Sequence, residues 1–211
     1  MKPSKQLLRV EKVRTRWVLG IAFALVALSV GAGVASASDE STVRWDIISV
    51  DFSTGTASAG GIASARANDN SKITVTGSGT FQVEDGQLED ATGGGSWMTF
   101  DPSNVVTGSG TYTVTGAVRW EPAPGTPPLP NDNIGNPADT RAGLAVLRIS
   151  YSDGSVGILV VSCHLVGTPV AVFEGITASK GFVDYWNREA PPAPPGNANR
   201  TTFHVTTEDE Q

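Results

Sequence analysis

Twelve consecutive residues, Lys72 to Val83, alternate strictly between two parities. Ile73, Val75, Gly77, Gly79, Phe81 and Val83 fall on one, and Lys72, Thr74, Thr76, Ser78, Thr80 and Gln82 on the other. Side chains that alternate with period two stand on opposite faces of an extended chain, so the segment predicts a half-buried strand. Gly77 and Gly79 interrupt its inner face and predict a bend, a bulge or the close approach of another backbone.

The same phrase returns 31 residues later. Thr76–Val83 (TGSGTFQV) and Thr107–Val114 (TGSGTYTV) agree at six of eight positions. Two copies are too few for a solenoid and predict two equivalent bent strands in one closed or sandwiched sheet. Asp153-Gly154 supplies the positive φ angles of a tight hairpin joining Ala142–Tyr151 to Ser155–Val166. Its second arm contains Ile158-Leu159-Val160-Val161, apolar on both parities, which predicts a central strand. Further strands are expected at Val43–Phe52, Gly61–Ala67, Gln87–Phe100, Val170–Ile176 and Thr201–Val205. No stretch repeats at 3.6 residues, and Lys180–Trp186 is expected to form one helical turn at most. The fold class is therefore all-β, an antiparallel β-sandwich or small β-barrel of about eight to nine strands.

Two segments break the pattern. Glu121–Thr140 carries six prolines, which cannot donate to a ladder, and irregular segments of this length within compact domains are often functional. Ala190–Asn199 is similar and shorter. Residues 206–211 are polar and acidic and are expected to form a disordered tail.

The N-terminus has a different character. Met1–Arg16 holds six basic side chains against one acid; Trp17–Val34 is apolar, and Ala35-Ser36-Ala37 follows. A basic region, an apolar region and a small-x-small end form a secretory signal, with cleavage expected after Ala37. The mature chain, 38–211, then has one all-β domain at 38–205 that contains the Pro-rich loop 121–140. An uncleaved anchor is the alternative, and about 18 apolar residues lie at the short edge of what spans a bilayer. Arg14 and Arg16 do not form a twin-arginine pair.

Removing residues 1–37 leaves 9 basic against 20 acidic side chains. This balance argues against nucleic acid, whose phosphates bind Lys and Arg, and against an anionic membrane surface once the signal is removed. The single cysteine, Cys163, cannot form an internal disulfide, so the domain must be held by packing. In its apolar setting a buried, inert thiol is expected.

Chemistry-bearing residues are few. His164 follows Cys163 on a strand, so their side chains point to opposite faces and cannot form a dyad. His204 can approach His164 if the last strand pairs near that hairpin; with Glu174 or Asp184, the two would suffice for a metal. Packed histidines are the expectation, and no metal is assigned. Asn-Asp-Asn at 68–70 and 131–133 offers calcium-like oxygens but reads as turn chemistry. Gly93-Gly94-Gly95-Ser96-Trp97 lacks the Lys of a phosphate loop. Catalytic candidates are thus His164, His204 and Glu174. Phe173–Asn187 mixes acids, a lysine and aromatics without periodicity, which suits a binding surface. Its candidates are Phe173, Glu174, Lys180, Asp184, Tyr185 and Trp186.

Phe173–Asn187, Arg200–Val205 and Ser162–Leu165 together resemble a group of uncharacterised secreted bacterial proteins, across most of the mature chain. The resemblance implies an exported single domain and carries no activity, ligand or cofactor with it. Three readings follow. The first is an exported, non-enzymatic β-domain binding a ligand or surface partner, with Trp45, Trp97, Trp120 and Trp186 as possible platforms. The second is a small β-barrel isomerase, cyclase or hydrolase with an interior pocket. The third is a calcium-stabilised structural or adhesion module.

Overall fold

The computed structural model describes residues 40–125, 127, 131–192 and 198–207. The expected signal segment, 1–37, lies outside them. In chain order the strands are β1 (Ser41–Asp51), β2 (Thr56–Ala59), β3 (Ala63–Arg66), β4 (Lys72–Val75), β5 (Ser78–Glu84), β6 (Gln87–Glu89), β7 (Gly94–Phe100) and β8 (Val106–Ala123). They continue as β9 (Asn131–Asp132), β10 (Thr140–Tyr151), β11 (Val156–Cys163), β12 (Gly175–Lys180), β13 (Val183–Tyr185), β14 (Asn187–Arg188) and β15 (Arg200–Thr207). Pro137–Asp139 forms a single 3₁₀ turn, capped by the Asn136 side chain.

Six strands close into an antiparallel barrel. Around the ring, β1 pairs with β5, β5 with β7, β7 with β8, β8 with β10, β10 with β15, and β15 with β1. Closure removes the free edges that an open sheet would leave for aggregation. The other nine strands extend this ring, with β11, β12 and β13 continuing from β10, and β4, β3 and β14 from β7.

The ring turns Val43, Trp45, Ile47, Phe81, Leu147, Ile149 and Phe203 into one contiguous core, all essentially inaccessible to water. Trp120 packs edge-on against Phe203 and Phe81, at centroid distances of 4.6 and 6.0 Å. Within the ring these side chains pack against one another, with Val83, Ala117 and Trp120 half-buried beside them.

The repeated phrase has a structural reason. Its two copies contribute to β5 and β8, which flank β7, and the second glycine of each lies against an indole. A Cβ on Gly79 would fall 2.9 Å from Trp45 Nε1 and 2.1 Å from the Thr92 carbonyl oxygen; one on Gly110 would fall 3.0 Å from Trp97 Nε1. Each glycine admits a large aromatic where a side chain would collide.

Several expectations are corrected. Among the described residues fifteen strands replace eight or nine, in part because glycines divide the longer runs. Lys72–Val83 breaks at Gly77 (φ +150°), where the Tyr112 hydroxyl donates to the Thr76 carbonyl at 2.8 Å, and Gln87–Phe100 breaks before Gly94. Lys180–Trp186 is not a helical turn: Gly181 (φ +58°) and Phe182 form the turn of the β12–β13 hairpin. Val170–Gly175 is mostly turns, with Val170 91% exposed, and the strand begins only at Gly175. The Pro-rich segment is not wholly irregular, since Glu121–Ala123 extends β8 and Asn131–Asp132 pairs with β2. Thr206 and Thr207, assigned to the tail, pair with Thr42 and Ser41; the rest of the tail lies outside the described residues. Central placement of β11 does appear, between β10 and β12.

Candidate functional site

Strands β1 and β15 show their second face outside the barrel. On β1 this face carries Arg44, Asp46, Ile48 and Val50; on β15 it carries Arg200, Thr202 and His204. The register sets Arg44 opposite His204, Asp46 opposite Thr202, and Ile48 opposite Arg200. Period two thus places a stripe of polar groups directly behind the apolar core.

Two irregular segments fold over this stripe and close a cavity of about 330 Å³. Ile48, Val50, Phe52 and Ala57 form its apolar wall. Pro127, Asp132 and Thr140 enter from the Pro-rich segment, His164, Leu165 and Glu174 from the chain between β11 and β12, and Arg200, Thr201 and Thr202 from β15. The two covering segments are joined. The Thr168 hydroxyl donates to the Pro124 carbonyl at 2.8 Å and accepts from the Leu165 N–H at 3.0 Å. Gly125 fits closely there, since a Cβ would fall 2.6 Å from Thr168 Oγ1.

Each acid at the cavity is engaged by the fold. Glu174 accepts from the His164 N–H through one oxygen at 2.6 Å and from the Thr201 N–H through the other at 2.8 Å. It therefore straps the end of β11 to the start of β15. Burial pushes its carboxyl up to about 7, against the two backbone bonds and the positive charge of Arg200. Asp132 accepts from the N–H groups of Ile134 and Gly135 at 2.8 and 3.2 Å through Oδ1, while Oδ2 lies 2.8 Å from His204 Nε2. Behind it, Arg44 donates two bonds to the fully buried Asp46, at 2.7 and 3.1 Å. The Asp46 carboxylate holds the Arg44 guanidinium above its ordinary pKa.

The two histidines differ in role. A carboxylate only accepts, so His204 Nε2–H donates to Asp132; its Nδ1 is buried and has no partner among the described residues. His164 Nδ1 lies 2.7 Å from the Val172 carbonyl oxygen, which also only accepts. Nδ1–H is therefore the donor, and the neutral ring keeps its lone pair on Nε2. Cys163, one residue away, points into the core, and burial pushes its thiol well up. His164 lines the cavity while His204 stands behind Asp132. No group of three or more His, Cys, Asp or Glu among the described residues is placed to hold a metal ion.

The candidate stretch 173–187 divides among several surroundings. Glu174 enters the cavity. Phe173 stacks outside it under the Arg188 guanidinium, 5.2 Å from the ring centroid. Lys180 is elsewhere, bonded to Asp153 and to Ser155 Oγ, and lies 4.3 and 5.0 Å from the ring centroids of Trp97 and Tyr151. The Lys180 bond holds the Asp153 carboxyl down at about 2. Tyr185 is buried, Asp184 exposed, and Trp186 72% exposed. Of the four tryptophans named as platforms, Trp45 and Trp97 are core, and Trp120 is half-buried against it.

Residues that the sequence did not single out complete the site: Arg200, Thr202, Thr140 and the Ile48-Val50-Phe52 wall. Arg200 stands one residue before the strand expected at Thr201, and its parity with Thr202 and His204 was the available signal. The Asn-Asp-Asn triplets separate. Asp69 accepts from Ser71 in a turn, with Asn70 at φ +68°, whereas Asp132 enters the cavity. No protein-family model, no curated protein and no solved structure matches this chain.

Proposed function

We propose that this chain is an exported β-barrel module that binds a small molecule in the cavity on the outer face of β1 and β15. The observation that carries the reading is the composition of that cavity. Its apolar wall of Ile48, Val50, Phe52, Ala57 and Leu165 faces a few convergent polar groups. This is the usual make-up of small-molecule sites, and 330 Å³ lies at the low end of their range of about 300–1,000 Å³. Closure of the barrel supports it by supplying a rigid wall. Export rests on the basic, apolar and small-residue sequence of 1–37.

A fragment screen followed by amide chemical-shift mapping tests this reading. Saturable shifts should cluster on β1, on β15 and around His164–Glu174. Shifts confined to the exposed Trp186 and Phe182 surface, or no saturable binding, would sink it.

A hydrolase or isomerase is the second reading, and His164 favours it. With Nδ1–H held by Val172, Nε2 is the basic atom of a side chain that lines the cavity beside Glu174. Turnover of small nitrophenyl esters that His164→Asn abolishes without loss of cavity binding would support it. Equal turnover by the variant would remove it.

A further inference from the structure

We infer that the cavity takes an amphipathic anion, a carboxylate on a short hydrocarbon chain or ring, and that Arg200 reads its charge. This rests on the cavity being a ligand site and names the class of ligand. Arg200 lines the cavity from the first position of β15. Its Nε is buried and has no hydrogen-bond partner among the described residues. None of the ion pairs among those residues includes it. The guanidinium carbon lies 4.9 Å from the Phe52 ring centroid, so an aromatic face supports the cation without occupying its N–H donors.

A buried donor without an acceptor is costly. The neighbouring groups do not supply what Arg200 lacks. Both Glu174 oxygens accept from backbone, and Asp132 is taken up by His204, Ile134 and Gly135. Arg44, the cation opposite His204, is paired with Asp46 through its Nε–H and one Nη2–H. Among the described residues, Arg200 is therefore the charged group lining the cavity that makes no side-chain hydrogen bond or ion pair. The Nε–H and one terminal N–H of a guanidinium form a parallel fork that matches the two oxygens of a carboxylate. The Ile48, Val50, Phe52 and Leu165 wall would take the hydrocarbon part. A cationic ligand would meet acids whose oxygens already accept from the fold, beside the positive charge of Arg200.

The test is calorimetric titration of the full-length protein at pH 6 with hexanoate and benzoate. Hexanol, benzyl alcohol, benzylamine and inorganic phosphate serve as matched probes, and the Arg200 Nε–H resonance is followed in parallel. The acids should bind at least tenfold more tightly than the alcohols and the amine, shift the Arg200 Nε–H signal and weaken with salt. Arg200→Lys keeps the charge but loses the fork, and should cost about tenfold for benzoate while leaving benzyl alcohol unchanged. Equal binding of acids and alcohols would overturn the role of Arg200 and leave the cavity as a binding site. Phosphate binding as tightly as benzoate would overturn the amphipathic class. Binding of none of the organic probes would overturn both the inference and the reading beneath it. Should Arg200→Lys fail to fold, the Arg200 resonance in the unaltered protein decides: no shift with benzoate overturns the assignment.

Discussion

His204 Nε2 lies 2.8 Å from Asp132 Oδ2, and this contact joins the last barrel strand to the Pro-rich segment that walls the cavity. Both side chains are nearly inaccessible, at 5% and 8%. Gly135 permits the contact, because a Cβ there would fall 2.6 Å from the imidazole Cδ2. Asp132→Ala leaves His204 Nε2 with the Thr140 hydroxyl at 3.5 Å as its remaining partner among the described residues and frees the Ile134 and Gly135 N–H groups. The expected loss is about 1–3 kcal/mol in urea unfolding, with faster amide exchange across residues 131–139. Unchanged exchange there would show that the pair does not hold the segment.

Glu174 gives the fold a pH dependence of unusual sign for a carboxylate. Its folded value, about 7, stands above the ordinary 4.5, so the folded state holds the proton more tightly than the unfolded chain. Its contribution is fully present below about 4.5 and is lost as pH rises through about 7. The slope between those values approaches about 1.4 kcal/mol per pH unit. Glu174→Gln stays neutral, so its stability relative to the unaltered protein should improve from pH 5 to pH 8. Parallel urea midpoints at the two pH values would contradict this account.

Gly79 and Gly110 predict different costs for the same substitution. At Gly79 a Cβ meets the Thr92 carbonyl oxygen at 2.1 Å and the Gly93 Cα at 2.8 Å, both backbone atoms that cannot swing aside. At Gly110 the closest obstacle is Ser152 Oγ at 2.3 Å, the end of a side chain. Gly79→Ala should cost about 1–3 kcal/mol or more, and Gly110→Ala less. Thermal midpoints of the two variants rank them directly.

Phe203 ties the two roles of β15 together. Its ring is buried against Trp120 at 4.6 Å, while Thr202 and His204 on either side face outward. Phe203→Ala should cost about 3–5 kcal/mol through the cavity left in the core. Loosening β15 should also weaken fragment binding at the outer site, read by the same shift mapping.

Local chemistry alone made the strands legible. Alternation at Lys72–Val83, the Asp153-Gly154 hairpin and the glycine phrase at 76–83 and 107–114 all depend on neighbours in sequence. So does the opposition of Cys163 and His164, because one residue along a strand reverses the face. Strand number was less legible. A positive φ at Gly77 or Gly181 is imposed by what crosses there, and the sequence does not name the crossing residue. Barrel rather than sandwich depends on whether β15 pairs with both β1 and β10, a contact between the ends of the domain.

The cavity lay further out of reach, since its residues come from positions 48 to 202. His164 carried a signal as one of two histidines, and Glu174 as an acid in the aperiodic stretch 173–187. Arg200 carried almost none, because its significance is an absence: a buried Nε with no acceptor among the described residues. By itself the sequence determined an acidic, disulfide-free, all-β domain behind a basic and apolar N-terminus, since period, turn chemistry and charge are local or additive properties. Only the tertiary structure decided that six strands close into a barrel, that Pro127, Asp132 and Thr140 meet the outer face of β1 and β15, and that, among the described residues, Glu174 and Asp132 accept hydrogen bonds there while the Arg200 side chain makes none. Hydrogen-bond saturation and burial belong to groups brought together from distant parts of the chain, and no window of sequence contains them.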